Sequence, residues 1–348
     1  MKKVNSIHTI AKELGISATT ISFVINGKAR RNRISEEVIE MIEKHLVKIN
    51  YSPNVFAQSL RTGKSNVIGM LVEDISDPFF SEIARGVEIG LENKAYKILL
   101  MSTKNRKSNA ESAIGILKQQ SVDGFIIAPS PDLEMEINDL LVLGKPVVLF
   151  DRYFPSLNTC NVVVDNENGG YIGTMELLEN GFEKPAFVTL ASDQVQMTDR
   201  KKGYVRAMQK MGAPDSILEV PYNLDVAETA VLIEAFLNAN KTIDAVLFAT
   251  NYLVIAGLQA FKQLDKKVGL DMGIVGFDDD KHFAFFSPSI TAIAQPVPDI
   301  SKNIVANLLE ALENEKQCKT GNVILPVLLM KRQSSQKHLD GLTKGTNA

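Results

Sequence analysis

Two sets of side chains in this sequence have the chemistry for recognition, and no set has the chemistry for catalysis. The first is the cationic stretch GKARRNRIS, whose Lys28, Arg30, Arg31 and Arg33 find their simplest partners in phosphate oxygens. The second is a series of residues that follow short apolar runs: Asp74, Phe79, Phe80, Thr103, Ser130, Asp151, Arg152, Asn166, Asn251, Asp278 and Gln295, with Arg200 opening a helix. Carboxylates, amides, hydroxyls, guanidinium groups and aromatic faces in this mixture suit a sugar or another small polyhydroxylated or ring-containing metabolite. Against this, His8, His45, His282 and His338 are scattered, and no HExxH, clustered Cys/His spacing, GxSxG, GxGxxG or Walker A motif occurs. No metal, cofactor or catalytic residue is therefore expected. Asp74 with Asp278 is the least implausible acid–base pair.

The cations sit in a segment that reads as three short helices. Ser6 caps residues 7–14, Gly15 ends them, and Ser17 caps a second helix through about Ile25. A third, from Ser35 to about Lys48, covers the apolar faces with Val38, Ile39, Ile42 and Leu46. Two short helices joined so tightly form a helix-turn-helix, whose second helix offers its first turn to base edges. Ala18 and Thr19 lead as base contacts; Ser17, Thr20 and Ser22 suit phosphate or sugar, and Phe23 either reaches the groove or packs inside the head. Residues 53–60 form a two-turn helix after Ser52-Pro53, or else a plain linker.

Charge separates this head from the rest. Residues 1–65 hold 11 Lys and Arg against 5 Glu, a formal +6, whereas the remainder carries −9. A basic end on an acidic body admits a polyanion at one place only, and nucleic acid is its natural partner. With 45% hydrophobic and 23% charged residues the chain has an ordinary globular composition, which excludes whole-chain disorder. Two cysteines, Cys160 and Cys318, cannot staple 348 residues, and no apolar run of membrane-spanning length occurs, so a cytosolic protein is expected. From Val67, apolar runs at 67–72, 97–102, 124–128, 146–150, 185–190, 245–249 and 273–277 alternate with amphipathic stretches, the pattern of doubly wound parallel sheets. The polar residues 332–348 read as a disordered tail.

The stretches IHTIAKELGISATTISFVINGK, NYSPNVFAQSLRTGKSNVIGMLVEDISDPFF, DRYFPSLNTCNVVVDNENGG, DRKKGYVRAM and IVGFDDDKHFAFFSPSITAIAQP, in this order, resemble the LacI/GalR family of bacterial transcription regulators over roughly residues 6–330. The resemblance implies a helix-turn-helix domain over 1–50, a hinge helix and linker over 51–65, and a two-lobed periplasmic-binding-protein-like body (type I) over 66–330. The first lobe would take about 66–162 and 294–323, the second about 165–290 and 327–331, with crossings near 162–165, 290–294 and 323–327. It also implies homodimerisation on a pseudo-palindromic operator, with Leu60 wedged into the minor groove and Asn26, Tyr51, Asn54 and Ala57 positioning and packing. Arg200 and Asp278 match effector-binding positions of the family, and the Asp151-Arg152 pair is also familiar there. Phe23 departs from an arginine that reads a base in many members, and the loop after Asn26 is longer and richer in arginine. The expected function is that of a DNA-binding repressor answering to a small molecule between its lobes. The alternatives are a sugar-binding receptor and a regulator that docks a protein instead.

Overall fold

The computed structural model describes residues 6–51, 63–314 and 319–337. The expectations for Asn54, Ala57, Leu60 and the hinge helix lie outside them, as do Cys318 and residues 338–348. The chain divides into two units at Ser65 and Asn66.

In the head, helices α1 (Ile7–Leu14) and α2 (Ala18–Ile25) begin where Ser6 and Ser17 accept hydrogen bonds from the amides of Thr9 and Thr20. Each serine satisfies an amide left free at a helix start. Gly15 takes the left-handed conformation at φ 68 and turns the chain between them. Helix α3 (Glu36–Lys48), capped by Ser35, lays Ile39 and Ile42 over Ile10, Ile21 and Val24. Ala29 joins this core at 5% exposure through a turn of 3-10 helix over Arg30–Asn32, so the cationic loop is anchored.

The body is built on two six-stranded sheets. Strands β1 (Val67–Val72), β2 (Lys97–Ser102), β3 (Gly124–Ile127), β4 (Val147–Phe150) and β5 (Cys160–Val164) form the first with β11 (Gly321–Leu325). Strands β6 (Pro185–Leu190), β7 (Ile217–Val220), β8 (Ala245–Phe248), β9 (Gly273–Phe277) and β10 (Thr291–Ala294) form the second with β12 (Leu328–Met330). The central strands are apolar on both faces because helices cover both sides of each sheet. Only β12 pairs antiparallel, against β10.

The chain leaves one sheet for the other at Asp165, after Ala294 and after Leu325. Residues 291–294, expected to end a strand beside a crossing, are a strand of the second sheet, held by Val275 and Leu329, and the chain crosses only after them. Helix α11 (Val297–Asn314) returns to the first lobe, where Ser301 Oγ donates to the Ile83 carbonyl at 3.3 Å.

The expected disorder of residues 332–348 is corrected for 332–337, which dock on the second lobe. Arg332 grips both oxygens of Asp279 at 2.7 and 2.8 Å. Ser334 Oγ donates to the Ile274 carbonyl and accepts from the Thr291 amide, each at 2.8 Å. Ser334 and Ser335 are buried here without any apolar periodicity because their hydroxyls find partners. No helix among the described residues is long and apolar enough to cross a membrane.

Candidate functional site

The first turn of α2 presents Thr19 to solvent, with Ala18 and Thr20 half-buried beside it. The Thr20 hydroxyl is 2.8 Å from Ser17 Oγ, so these two expected phosphate contacts share one local network at the helix start. Phe23 is half-buried. Asn26 Nδ2 donates to the Ser22 carbonyl at 2.6 Å and closes the C-terminal end of α2, whereas Tyr51 packs on the core. Lys28, Arg31 and Arg33 are exposed. Arg30 is exposed too, but its guanidinium donates to both oxygens of Glu36, at 2.8 and 3.3 Å, so a phosphate has to compete for it.

In the body, both sheets direct the carboxyl ends of their strands toward the space between the lobes, where ligands of open α/β sheets bind. Asp151 after β4 and Asp278 after β9 take left-handed backbone, φ 66 and 68. Aspartate tolerates this conformation better than most residues, and the carboxylates it carries here meet arginines, Asp151 pairing with Arg152 and Asp278 with Arg200.

On the second lobe, helix α7 (Asn166–Glu179) crosses helix α8 (Val195–Lys210) at glycines. A Cβ on Gly203 would stand 2.0 Å from the Glu167 carbonyl oxygen, and one on Gly170 would stand 2.1 Å from that of Arg200. This contact sets the start of α7 beside Arg200. Arg200 Nε donates to Asn166 Oδ1 at 2.8 Å and Nη1 to the Ala249 carbonyl at 2.6 Å. Its guanidinium lies 3.6 Å from the ring centre of Phe277 and faces Asp278 at 3.5 Å. Gln295 donates to the other oxygen of Asp278 at 2.6 Å. Arg200, Asn166, Asp278 and Gln295, scattered over 130 residues of sequence, are therefore one network.

A second network spans the lobes. Arg152, 2% exposed, pairs with Glu73 and Asp151 and donates from Nη1 to Gln194 of the second lobe at 2.9 Å. Burial works against its charge, but Glu73 and Asp151 hold its pKa above the usual arginine value. Gln194 also accepts from Asn105 at 3.2 Å and donates to the Pro129 carbonyl at 3.1 Å, and Tyr222 of the second lobe lines the same space. Asn251, at the start of the helix after β8, accepts from the Tyr252 amide at 2.7 Å through Oδ1. Burial pushes Asp151 up to about 6, with Arg152 and Arg200 opposing it. Burial pushes Asp77 up to about 7, and the neighbouring Asp278 carboxylate adds to the effect.

Three expectations for the cleft change. Phe80, 6% exposed, belongs to the core, edge-on to Phe150 at 6.2 Å, because the first turn of helix α4 (Pro78–Glu92) points it under the sheet. Asp74 is spent locally: it accepts from Ser76 and pairs with Lys104, while its neighbour Glu73 reaches the cleft. The suggested Asp74–Asp278 pair is therefore not formed. Ser130 Oγ donates to Thr103 Oγ1 at 3.1 Å with both residues buried, and Phe79 lies half-buried against Phe80. Glu73, Asn105, Gln194 and Tyr222 are the cleft residues that sequence reasoning missed. Glu73, Asn105 and Gln194 follow the runs of β1, β2 and β6 within a few residues, as the other candidates follow theirs, whereas Tyr222 follows β7, which no apolar run announced.

The raised pKa of Asp77 makes stability depend on pH. Between the unfolded value near 3.8 and about 7, the folded chain binds the extra proton, so this contribution is lost as pH rises through that window. Asp77→Asn keeps the cap on α4 and removes the titration. The variant is expected to gain about 4 kcal/mol over the parent at pH 8 and about 1 kcal/mol at pH 4.5. Thermal unfolding of both proteins across that range measures it; parallel pH profiles would count against the assignment.

A helical reading head and a two-lobed body with a polar cleft define a DNA-binding transcriptional regulator equipped to sense a small molecule. Residues 6–54 match the bacterial regulatory proteins of the lacI family, and 174–335 match a periplasmic binding protein-like domain. The chain is 30% identical over 321 residues to the HTH-type transcriptional repressor PurR of Vibrio parahaemolyticus, covering 90% of this chain and 94% of the relative. It is 28% identical over 335 residues to the ribose operon repressor of Halalkalibacterium halodurans, covering 96% and 98%. The fold superposes with TM-score 0.83 on the Lac repressor dimer bound to operator and the anti-inducer ONPF, at 21% identity over 95% of this chain and 99% of that one. The chain belongs to the lacI family of bacterial regulatory proteins.

Proposed function

We propose that this regulator is a cytoplasmic repressor and not an enzyme. As a homodimer it holds a pseudo-palindromic operator through two heads, and a small carbohydrate-type effector between the lobes sets its affinity. The observation that carries this reading is the set of hydrogen bonds that Gln194 makes across the cleft with Arg152, Asn105 and the Pro129 carbonyl. A ligand entering there must replace or reinforce them, and so it binds the open and closed arrangements with different affinity, which is what a switch requires. The names of the relatives, the transcriptional repressor PurR and the ribose operon repressor, support repression, and the second supports a sugar. Thr19, Ala18 and Phe23 would read bases, while Lys28, Arg31 and Arg33 hold phosphates.

Gel shifts with genomic fragments test the reading. Full-length protein is expected to select particular fragments, and a chain reduced to residues 66–348 to lose all DNA binding; equal binding by the two would refute it. In the same assay Glu36→Gln frees Arg30. It is expected to tighten binding at low salt and steepen the salt dependence by about one unit of log slope.

A further inference from the structure

Beside the network of Arg152, Asn105 and Gln194, the space between the lobes opens into a chamber of about 1250 Å³. Pockets that enclose a drug-sized ligand run from about 300 to 1,000 Å³, so a single sugar ring would leave most of this chamber to water. Arg200, Asp278, Asn166 and Gln295 do not line it: they are turned onto one another behind the wall made by Arg152 and Gln194. Direct contact with a ligand in the chamber therefore falls to other residues.

The character of its wall is specific. Tyr153 and Phe154 from the first lobe and Tyr222 from the second each keep one side against a hydrophobic core and are half-buried. Their other sides are flat apolar faces, and Pro129, Pro131 and Pro155 add more. Between these faces stand amides and hydroxyls such as Asn105, Asn223 and Ser192. The lining holds four basic and four acidic side chains, hence no net formal charge. Asn105 and Asp132 on its rim are held left-handed, at φ 51 and 58, a conformation that persists where surrounding structure enforces it. Aromatic faces stack on the C–H faces of pyranose and furanose rings, and interleaved amides and carboxylates pair with their hydroxyls. A wall without net charge gives no advantage to a phosphorylated or otherwise charged ligand.

We propose that the chamber binds a neutral oligosaccharide of two or more rings, clasped between Tyr153 and Phe154 of one lobe and Tyr222 of the other. The inference rests on the cleft being the effector site, and it assigns the ligand's size and charge class. The inner end of the sugar chain meets Asn105, Gln194 and Arg152, whose present bonds to one another its hydroxyls would replace.

Calorimetric titration of the full-length protein with matched sugars tests this: glucose against maltose, maltotriose and cellobiose; galactose against lactose; xylose against xylobiose; mannose against mannobiose; and, as single compounds, ribose, adenosine and glucose 6-phosphate. At least one oligosaccharide is expected to bind tenfold or more tightly than its own monosaccharide. Phe154→Leu, which keeps an apolar side chain without the ring, is expected to weaken that oligosaccharide about fivefold and the monosaccharide less than twofold. Phe154→Ala serves as the second variant. A monosaccharide that binds as tightly as its oligomers overturns the proposal and leaves the cleft as a sugar site. Binding of adenosine or glucose 6-phosphate alone overturns the carbohydrate class assigned here. Absence of binding by every sugar overturns the proposal together with the carbohydrate reading on which it rests.

Discussion

Gly203→Ala is expected to destabilise the body by about 3 kcal/mol, although alanine favours a helix over glycine by about 1 kcal/mol. The added methyl meets the Glu167 carbonyl oxygen at 2.0 Å and the Tyr171 amide nitrogen at 2.6 Å. Both are backbone atoms and cannot rotate aside, so helices α7 and α8 must separate. Separation also pulls Asn166, at the start of α7, from Arg200 in α8. Gly115→Ala, in helix α5 (Lys107–Gln119), meets nothing within 4 Å and is expected to stabilise by about 0.5–1 kcal/mol. Urea unfolding of the two variants beside the parent gives the comparison. Loss of stability in both, or in neither, would mean that close helix contact is not what Gly203 provides.

Arg200→Met is expected to cost about 3–5 kcal/mol, the range for breaking a buried charged network by removing one partner. Methionine restores bulk over Phe277 but leaves Asn166 Oδ1 and the Ala249 carbonyl without their donor. Asp278 loses the cation beside it and keeps only Gln295. In a body of this size each kcal/mol moves the melting temperature by about 2–4 °C, so a fall near 10 °C is expected. Adding Asp278→Asn removes the stranded charge and should recover part of the loss. A single variant within 1 kcal/mol of the parent, or a double variant that is merely the sum of two losses, would show that the network does not act as a unit.

These effects concern contacts of very different legibility. The caps Ser6, Ser17 and Ser35, the turn at Gly15 and the apolar faces of α1 to α3 depend on residues three or four apart, so the head was readable from its sequence almost residue by residue. The exception was Ala29, buried by a turn that composition alone reads as a solvated basic loop. In the body the apolar runs marked most of the inner strands, because strands buried on both faces need no partner to be recognised, but β5 and β10, which lie next to lobe crossings, were not among those runs. The weaker edge strands β7, β11 and β12, partly exposed, carried no such mark. The docked segment 332–337 carried none either, since its burial depends on Asp279, Ile274 and Thr291.

By itself, then, the sequence determined that a basic helix-turn-helix head precedes two parallel sheets, and that polar residues gather at the ends of their strands. Caps, turns and periodicity are local, and a few neighbouring residues suffice to specify them. Which carboxylate enters the cleft was decided only in three dimensions. Glu73 and Asp74 are adjacent and chemically alike, yet one meets Arg152, 79 residues away, and the other meets Lys104 on the surface. The same holds for Gln194, whose amide gains its role from Asn105, Pro129 and Arg152 in the other lobe. Such partners are brought together by the packing of whole elements, and no spacing along the chain encodes them.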